Sequence, residues 1–362
     1  MKREVVIVGG GIVGLCVAYY LSRAGISDVV VLERGKIADE ASYNNMGGLW
    51  PNIMSRPDIT KPFADWSLLL YEEMTKEGFR FEFRRNGVLE VLSDNADDEE
   101  KRVEERRAKG YNAKFLSPSE IEKIEPNIAR NFVGGIFCPN DANASSFLLA
   151  KELHTYLTKK DISIMEGAEV NDFQVESNKI REIETSKGSF SAKFVVNTAG
   201  PWSSFIGNML GISIPVQPAK GYMCETEPVE KLIHAAVTNN NIVVTQRPAG
   251  QIRMGGIVEF AGFNRTFDKI KKQMILDSAS SILYALAKLP IADERIGFRP
   301  YADDGLPIIG YSKQISNMIL ATGHFRRGFE LASGTGKVVA ELILDGKTSE
   351  DIEFASPKRF DL

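Results

Sequence analysis

Residues that bind metals or form disulfides are scarce in this 362-residue chain, which has three cysteines and three histidines. Cys16, Cys138 and Cys224 lie far apart, form no C-x-x-C pair and are odd in number. That argues against a disulfide framework and points to a reduced, cytoplasmic setting. His154, His234 and His324 have no second His or Cys at ligand spacing, so no metal site is expected. An excess of positive charge is missing too. The chain carries 44 Lys and Arg against 48 Asp and Glu, and nucleic acid is excluded as a partner because phosphate binding draws on a basic face. There is no low-complexity tract and no repeat of fixed period.

A membrane span is absent for a more specific reason. Val5 to Ser22 carries no charge, but Gly9 to Gly11 interrupt it and a second apolar strand, DVVVLE, follows in place of a cleavage site. The run therefore reads as strand, turn and helix, with no transmembrane segment. Apolar residues at 43% and charged residues at 25% suit a globular protein, and the length suits two packed domains.

Val5 to Val8 reads as a buried parallel strand, Ile12 to Ala24 as a helix closed by Gly25, and Asp28 to Glu33 as the next strand. A helix is expected near Lys61 to Lys76. A hairpin is expected over Arg80 to Leu92, turning at Asn86-Gly87. The charge-rich stretch from Asn95 to Gly110 reads as a solvated helix. Further on, Phe147 to Lys160 is helical in pattern and Phe194 to Thr198 is a strand. GGIFCP, GYMCETEP and NIVVTQRPAGQIRMGG suit one antiparallel sheet, with the helix Asp268 to Leu289 covering a face. NMILATGHFRRGFELA then repeats the strand, turn and helix of the N-terminus.

Gly9-x-Gly11-x-x-Gly14 follows a strand and opens a helix, the context a dinucleotide fingerprint requires. Gly9 permits the tight turn, Gly11 lets the backbone approach a pyrophosphate and Gly14 lets helix and strand pack. The N–H groups of the helix start, at Ile12 and Val13, are then free for phosphate. Glu33 ends the second strand, about 20 residues on, where a carboxylate accepts ribose hydroxyls. The fingerprint alone does not separate NAD from FAD.

Five segments in a fixed order separate them: VVIVGGGIVGLCVAYYL with LERG, ASYNNMGGL, VVNTAGPWS with PAKGY, GFRPYADDGLPIIG, and GHFRRGFELA. Through them the whole chain resembles the glycine oxidase, sarcosine oxidase and D-amino-acid oxidase superfamily, glycine oxidases and related amino-acid dehydrogenases above all. The resemblance implies an α/β protein. Its Rossmann-type, glutathione-reductase-like FAD domain would come from 1–85, 143–215 and 298–362. A smaller α+β substrate domain on an antiparallel or mixed sheet would come from 86–142 and 216–297.

The resemblance also assigns residues. Glu33 and Arg34 would hold the adenosine part, with Val170 bracketing the adenine, while Ser42, Asn45, Gly47, Gly48 and Leu49 line the path to the flavin. Ala199, Gly200 and Trp202 would close over the cofactor, and Gly323, Phe325, Arg326, Arg327, Gly328 and Phe329 would form the turn beside the ring. Reduction places negative charge on the N1/C2=O edge of a flavin, so a helix start near Gly328 and the charge of Arg326 suit that edge, with His324 and Arg327 as weaker candidates. Arg299, an Arg before Pro, would grip a substrate carboxylate through its planar fork, with Trp50 and Tyr301 walling the pocket. GFRPYADDGLP holds no Cys, so the FAD is expected to be non-covalent.

The expected reaction is oxidation of the C–N bond of a small amino acid or secondary amine by hydride transfer to flavin, with oxygen or another acceptor reoxidising the ring. NNNIVVTQRP lacks the Tyr or His that such enzymes often place there, which leaves the substrate open. A 2-hydroxy-acid or glycerol-phosphate dehydrogenase, and a flavin-carrying subunit of a larger complex, remain alternatives. A homo-oligomer or a partner subunit is left open as well.

Overall fold

The uncharged N-terminal run divides where its glycines fall. Lys2–Val8 is a strand, Ile12–Arg23 a helix, and the left-handed Gly25 (φ 85°) follows the helix end. The computed structural model, which describes residues 1–53 and 58–362, sets the first strand in the middle of a sheet. Its strand order is Ile308–Tyr311, Met318–Thr322, Gly188–Asn197, Lys2–Val8, Val29–Glu33, Ser163–Glu166. All neighbours run parallel except the first pair. Val5 and Ile7 face the helices Ile12–Arg23, Ser146–Thr158 and Gly328–Asp345. Val6 and Val8 face the opposite layer, a hairpin of Val170–Glu176 and Lys179–Thr185 with the helix Ser203–Met209. Burial on both faces is why Val5 to Val8 form a continuous apolar run rather than an alternating one, while Lys2 to Glu4 lie at the less buried start of the strand.

The second sheet has the order Ile291–Ala302, Val216–Thr226, Ile252–Glu259, Val243–Gln246, Ala236–Thr238, Val88–Leu92, Gly134–Cys138, Lys114–Leu116. It is antiparallel except where Ala236–Thr238 meets Val88–Leu92. One face packs against the helix Lys269–Ile282 through Ile275, Ala279 and Ile282. The other face looks toward the first sheet. The strand Ile291–Ala302 crosses the boundary expected at residue 298, so its last residues stand beside the nucleotide half.

Three sequence expectations meet the structure differently. Ala96–Ala108 is a solvated helix in which Val103 alone is buried. The helix over Asp268 to Leu289 is interrupted: Leu283 is extended (φ -142°), and a 3-10 turn, Tyr284–Lys288, follows. The hairpin over Arg80 to Leu92 does not form. Arg84 bridges to Asn143, and Val88–Leu92 pairs with Gly134–Cys138 and Ala236–Thr238. Phe81 is buried in the core of the first sheet and Phe83 packs against it, which holds the first arm away from the second. Among the described residues no helix is long and apolar enough to cross a membrane.

Candidate functional site

A cavity of about 700 Å³ runs between the two sheets. Its nucleotide end is built largely from backbone. A Cβ on Gly14 would lie 2.1 Å from the Gly9 carbonyl oxygen and 2.7 Å from Thr198 Oγ1, so only glycine lets the helix start this close to the strand. Gly9 holds φ 114°. Glu33 Oε2 accepts from the Gly10 N–H at 2.8 Å and Oε1 from the Gly35 N–H at 2.7 Å, which fixes the carboxylate at the cavity wall. The Ile12 N–H, expected to be free for phosphate, instead donates to Ser42 Oγ at 2.9 Å, while the first turn of that helix holds no acidic residue to oppose an anion. Asn45 ties the turn, donating to the Ser42 carbonyl at 2.5 Å and accepting from the Gly47 N–H at 2.8 Å.

An aromatic seam closes one side. The Arg34 guanidinium lies 3.8 Å from the Trp202 ring centroid, and Trp202 stacks on Phe263 at 4.9 Å and 17°. Phe263 belongs to the loop after the Ile252–Glu259 strand of the second sheet. In the same loop Arg265 Nη2 meets Glu40 Oε1 at 2.5 Å. The segment therefore reaches from one sheet to the other.

At the far end two guanidiniums stand together. Arg299 makes one long hydrogen bond, 3.4 Å to the Ile257 carbonyl, and no acidic group among the described residues lies within ion-pair distance. Burial, and then the charge of Arg326, lower its pKa to about 10. Arg326 is accessible through the open cavity, yet the protein around it still lowers its pKa by desolvation. Arg326 follows Phe325, which holds φ 49°, a strained value for a residue with a Cβ, and the turn leads into the helix Gly328–Asp345. Gly221 makes room for Arg299, since a Cβ there would lie 2.1 Å from Arg299 Nη1.

Residues 4–342 match DAO, the FAD dependent oxidoreductase family. The chain belongs to that family. It is 27% identical over 358 residues to the bifunctional protein ThiO/ThiG of Nostoc sp., covering 96% of this chain and 54% of that one, so it spans about half the length of that relative. It is 26% identical over 351 residues to the glycine oxidase of Pseudomonas putida, with 95% of each chain covered. Among solved structures, L-proline dehydrogenase from P. horikoshii superposes with a TM-score of 0.92 at 26% identity, covering 99% and 98% of the two chains.

The side chains present fit the FAD of this family. Besides the anion-ready helix start and Glu33, two buried acceptors border the cleft without a partner, Glu40 Oε2 and Asn44 Oδ1. FAD carries the hydroxyls and ring N–H that such acceptors call for. Arg34, Ala199, Gly200, Trp202 and Val170 border the same cleft, as do Gly48, Gly328 and Phe329.

Other expected site residues stand behind the wall. Leu49 is fully buried and pairs with Ala142, while Gly47 packs on the Ala144 carbonyl. Arg327 points into the core, where Nε meets Glu330 Oε2 at 3.1 Å and Nη1 donates to Thr60. Gly323 (φ 73°) shapes the turn against Ala302. Tyr301 does not border the cavity; its ring packs edge-on against Phe325 at 4.9 Å and Phe260 at 5.0 Å. Trp50 does border it, with Nε1 donating to Asn143 at 3.1 Å. His324 is buried beside Thr335 Oγ1 at 3.0 Å, and burial lowers its pKa to about 3, so it stays neutral.

Sequence reasoning missed Gly221, Met223, Thr238 and Val243, which border the cavity from three strands of the second sheet. The alternation Ala219, Gly221, Met223 on one face of VQPAKGYMCET was the available signal.

Proposed function

We propose that the protein oxidises the C–N bond of an amino acid or secondary amine bearing a carboxylate, giving an imine that water hydrolyses. The observation that carries this reading is Arg299, a desolvated guanidinium beside the cavity without an acidic partner among the described residues. A planar fork in such a place favours a carboxylate, which would give the charge the partner it lacks. When bound, FAD supplies the two-electron acceptor: the substrate's Cα hydrogen leaves with its electron pair, and the nitrogen lone pair closes the C=N bond. Arg299 holds the carboxylate and so fixes the Cα–H direction, which is most of what this chemistry asks of side chains. Arg326 and the helix start at Gly328 stabilise negative charge near the turn.

The same cavity is poor in bases. His324, the one histidine bordering it, is neutral and engaged with Thr335, so nothing among the described histidines is set to take a hydroxyl proton. An amine needs no such group, because its neutral form reacts directly. Relatives with the names glycine oxidase and L-proline dehydrogenase support the same choice.

Anaerobic titration of the holoprotein with both enantiomers of amino acids, N-methyl amino acids, 2-hydroxy acids and glycerol phosphate tests the reading. Amino or N-methyl amino acids are expected to bleach the flavin, with a rate that rises with pH until the substrate's own ammonium is deprotonated. No step near pH 6.5, where an ordinary histidine titrates, is expected from the protein. Reduction by the hydroxy acid or glycerol phosphate alone would replace this function.

A further inference from the structure

We infer that the substrate's side chain is apolar and larger than hydrogen, and that Met223, Val243 and the facing loop select it; the inference rests on the carboxylate-anchoring role proposed for Arg299. The floor of this pocket follows from strand register. Met223 and Val243 both lie opposite Gly255, one from each neighbouring strand, and Val243 is in turn opposite Thr238. Directly opposite residues on adjacent strands share a face, so two apolar side chains flank a position that has none. The register slips between Gly221 and Met223, and Gly256 (φ 150°) enters the cavity lining there. The hollow is the part of the cavity bordered by Met223, Val243 and Gly256, with Arg299 bordering the same cavity; the side-chain positions of Gly255 and Gly256 themselves are closed by the backbone of Tyr222 and Ile242.

The opposite wall is the segment holding Met46, Trp50 and Ile53, all of which border the cavity. It is held to the sheet by the Thr245 hydroxyl donating to the Met46 carbonyl at 3.4 Å and by Arg253 Nη1 donating to the Asn45 carbonyl at 3.1 Å. The hollow is therefore a built pocket and not a gap over a loose loop. Two methionines give it adaptable walls, suited to more than one apolar shape.

What the pocket lacks decides the substrate class. Glu33, Arg34, Lys36, Asp39, Glu40 and Glu169 are all at the nucleotide end, and the only other charged groups bordering the cavity among the described residues are Arg299 and Arg326. With Arg326 given to the negative edge of the FAD, a second carboxylate or a side-chain amine placed among Met223, Val243, Met46, Trp50 and Ile53 would lose water and find no charged partner among the described residues. Two polar side chains beside Val243 are already engaged, Thr238 Oγ1 donating to the Ile242 carbonyl at 2.7 Å and Asn240 hydrogen-bonding Glu90, while Asn44 Oδ1, near Gly297, is a lone neutral acceptor. Glycine would leave the hollow unfilled and forgo the burial of apolar surface that it offers.

Two measurements test this on the holoprotein. In the first, simple carboxylates without an amine are bound and read by the perturbation of the flavin spectrum and by thermal shift. 4-Methylpentanoate is expected to bind at least tenfold more tightly than acetate, and equal affinities would overturn the pocket. In the second, flavin reduction is followed with glycine, alanine, leucine, methionine, phenylalanine, aspartate and lysine in both enantiomers. Leucine, methionine or phenylalanine is expected to exceed glycine, aspartate and lysine by at least tenfold in kcat/KM. Glycine or a charged amino acid as the best substrate would overturn the inference while leaving C–N oxidation intact. Tight binding of 4-methylpentanoate without reduction by any amino acid would instead strike the C–N reading and leave the pocket standing. Val243→Phe, filling the hollow, is expected to lower kcat/KM for leucine at least tenfold more than for alanine. An equal loss on both would assign Val243 to the fold alone.

Discussion

At the nucleotide end of the cavity, backbone N–H groups, glycines and one carboxylate between Gly9 and Ser42 form the wall, packed against the Thr198–Ala199 backbone. At the substrate end it is formed by side chains from strands scattered between Val216 and Ala302, brought together by pairing alone. The first arrangement suits a cofactor that never changes, because backbone geometry survives most substitutions. The second leaves the substrate to be chosen by individual side chains. Two ends built on such different terms should fail separately, and the predictions test that separation.

The largest effect is expected at Arg299. Arg299→Ala and Arg299→Lys should each lower kcat/KM on the best amino acid at least tenfold, about 1.4 kcal/mol or more of transition-state binding, while activity on the corresponding simple amine and FAD content stay unchanged. Equal losses on acid and amine, or loss of flavin, would join the two ends that the comparison separates. Next is Glu33→Ala, which removes the acceptor of the Gly10 and Gly35 N–H groups and, on the proposed cofactor placement, of the ribose hydroxyls. A charge-assisted hydrogen bond is worth about 1.5–3 kcal/mol, so the FAD dissociation constant should rise by roughly tenfold or more, read from the fluorescence of released flavin. Substrate preference at saturating FAD should not move, and a changed preference would break the comparison from the other side.

The smallest effect belongs to the seam. Arg265 and Glu40 form a half-exposed pair, and such pairs contribute about 0.2–1 kcal/mol. Arg265→Ala should therefore speed FAD release by roughly twofold to fivefold, most clearly at low salt, where the pair is least screened. A release rate that ignores both the substitution and the salt would show that the Phe263–Trp202 stack holds the seam alone.

The contrast between the two ends also explains what could be read from sequence. Glycine spacing, Glu33 and the Lys61–Lys76 helix were legible because each is fixed within one local segment. Turns were less so. Asn86-Gly87 carries the stronger hairpin signal, yet the two-residue hairpin forms at Ser177-Asn178, both left-handed at φ 50° and 57°, between strands that pair along their length. At Asn86-Gly87 the flanking segments found better partners elsewhere. Arg299 was legible as a residue, but not the absence of a carboxylate beside it among the described residues, which depends on the whole fold. Met223 was only faintly legible, through the alternation of its strand, because its pairing slips by one residue near Gly256 and such a slip exchanges the faces of a strand; Val243 was not legible, since its direction rests on pairing with a distant strand.

The strand Ile291–Ala302 has a consequence for how this protein can change. It carries Arg299 on its own backbone; its one strand neighbour among the described residues is Val216–Thr226, besides a single bridge from Tyr301 to His324, while Val243 and Thr238 sit two and three strands further across the sheet. Grip and choice are thus written on different strands. A lineage can exchange the choosing residues one at a time, trying new side-chain classes, without first surrendering its hold on the group that all amino acids share.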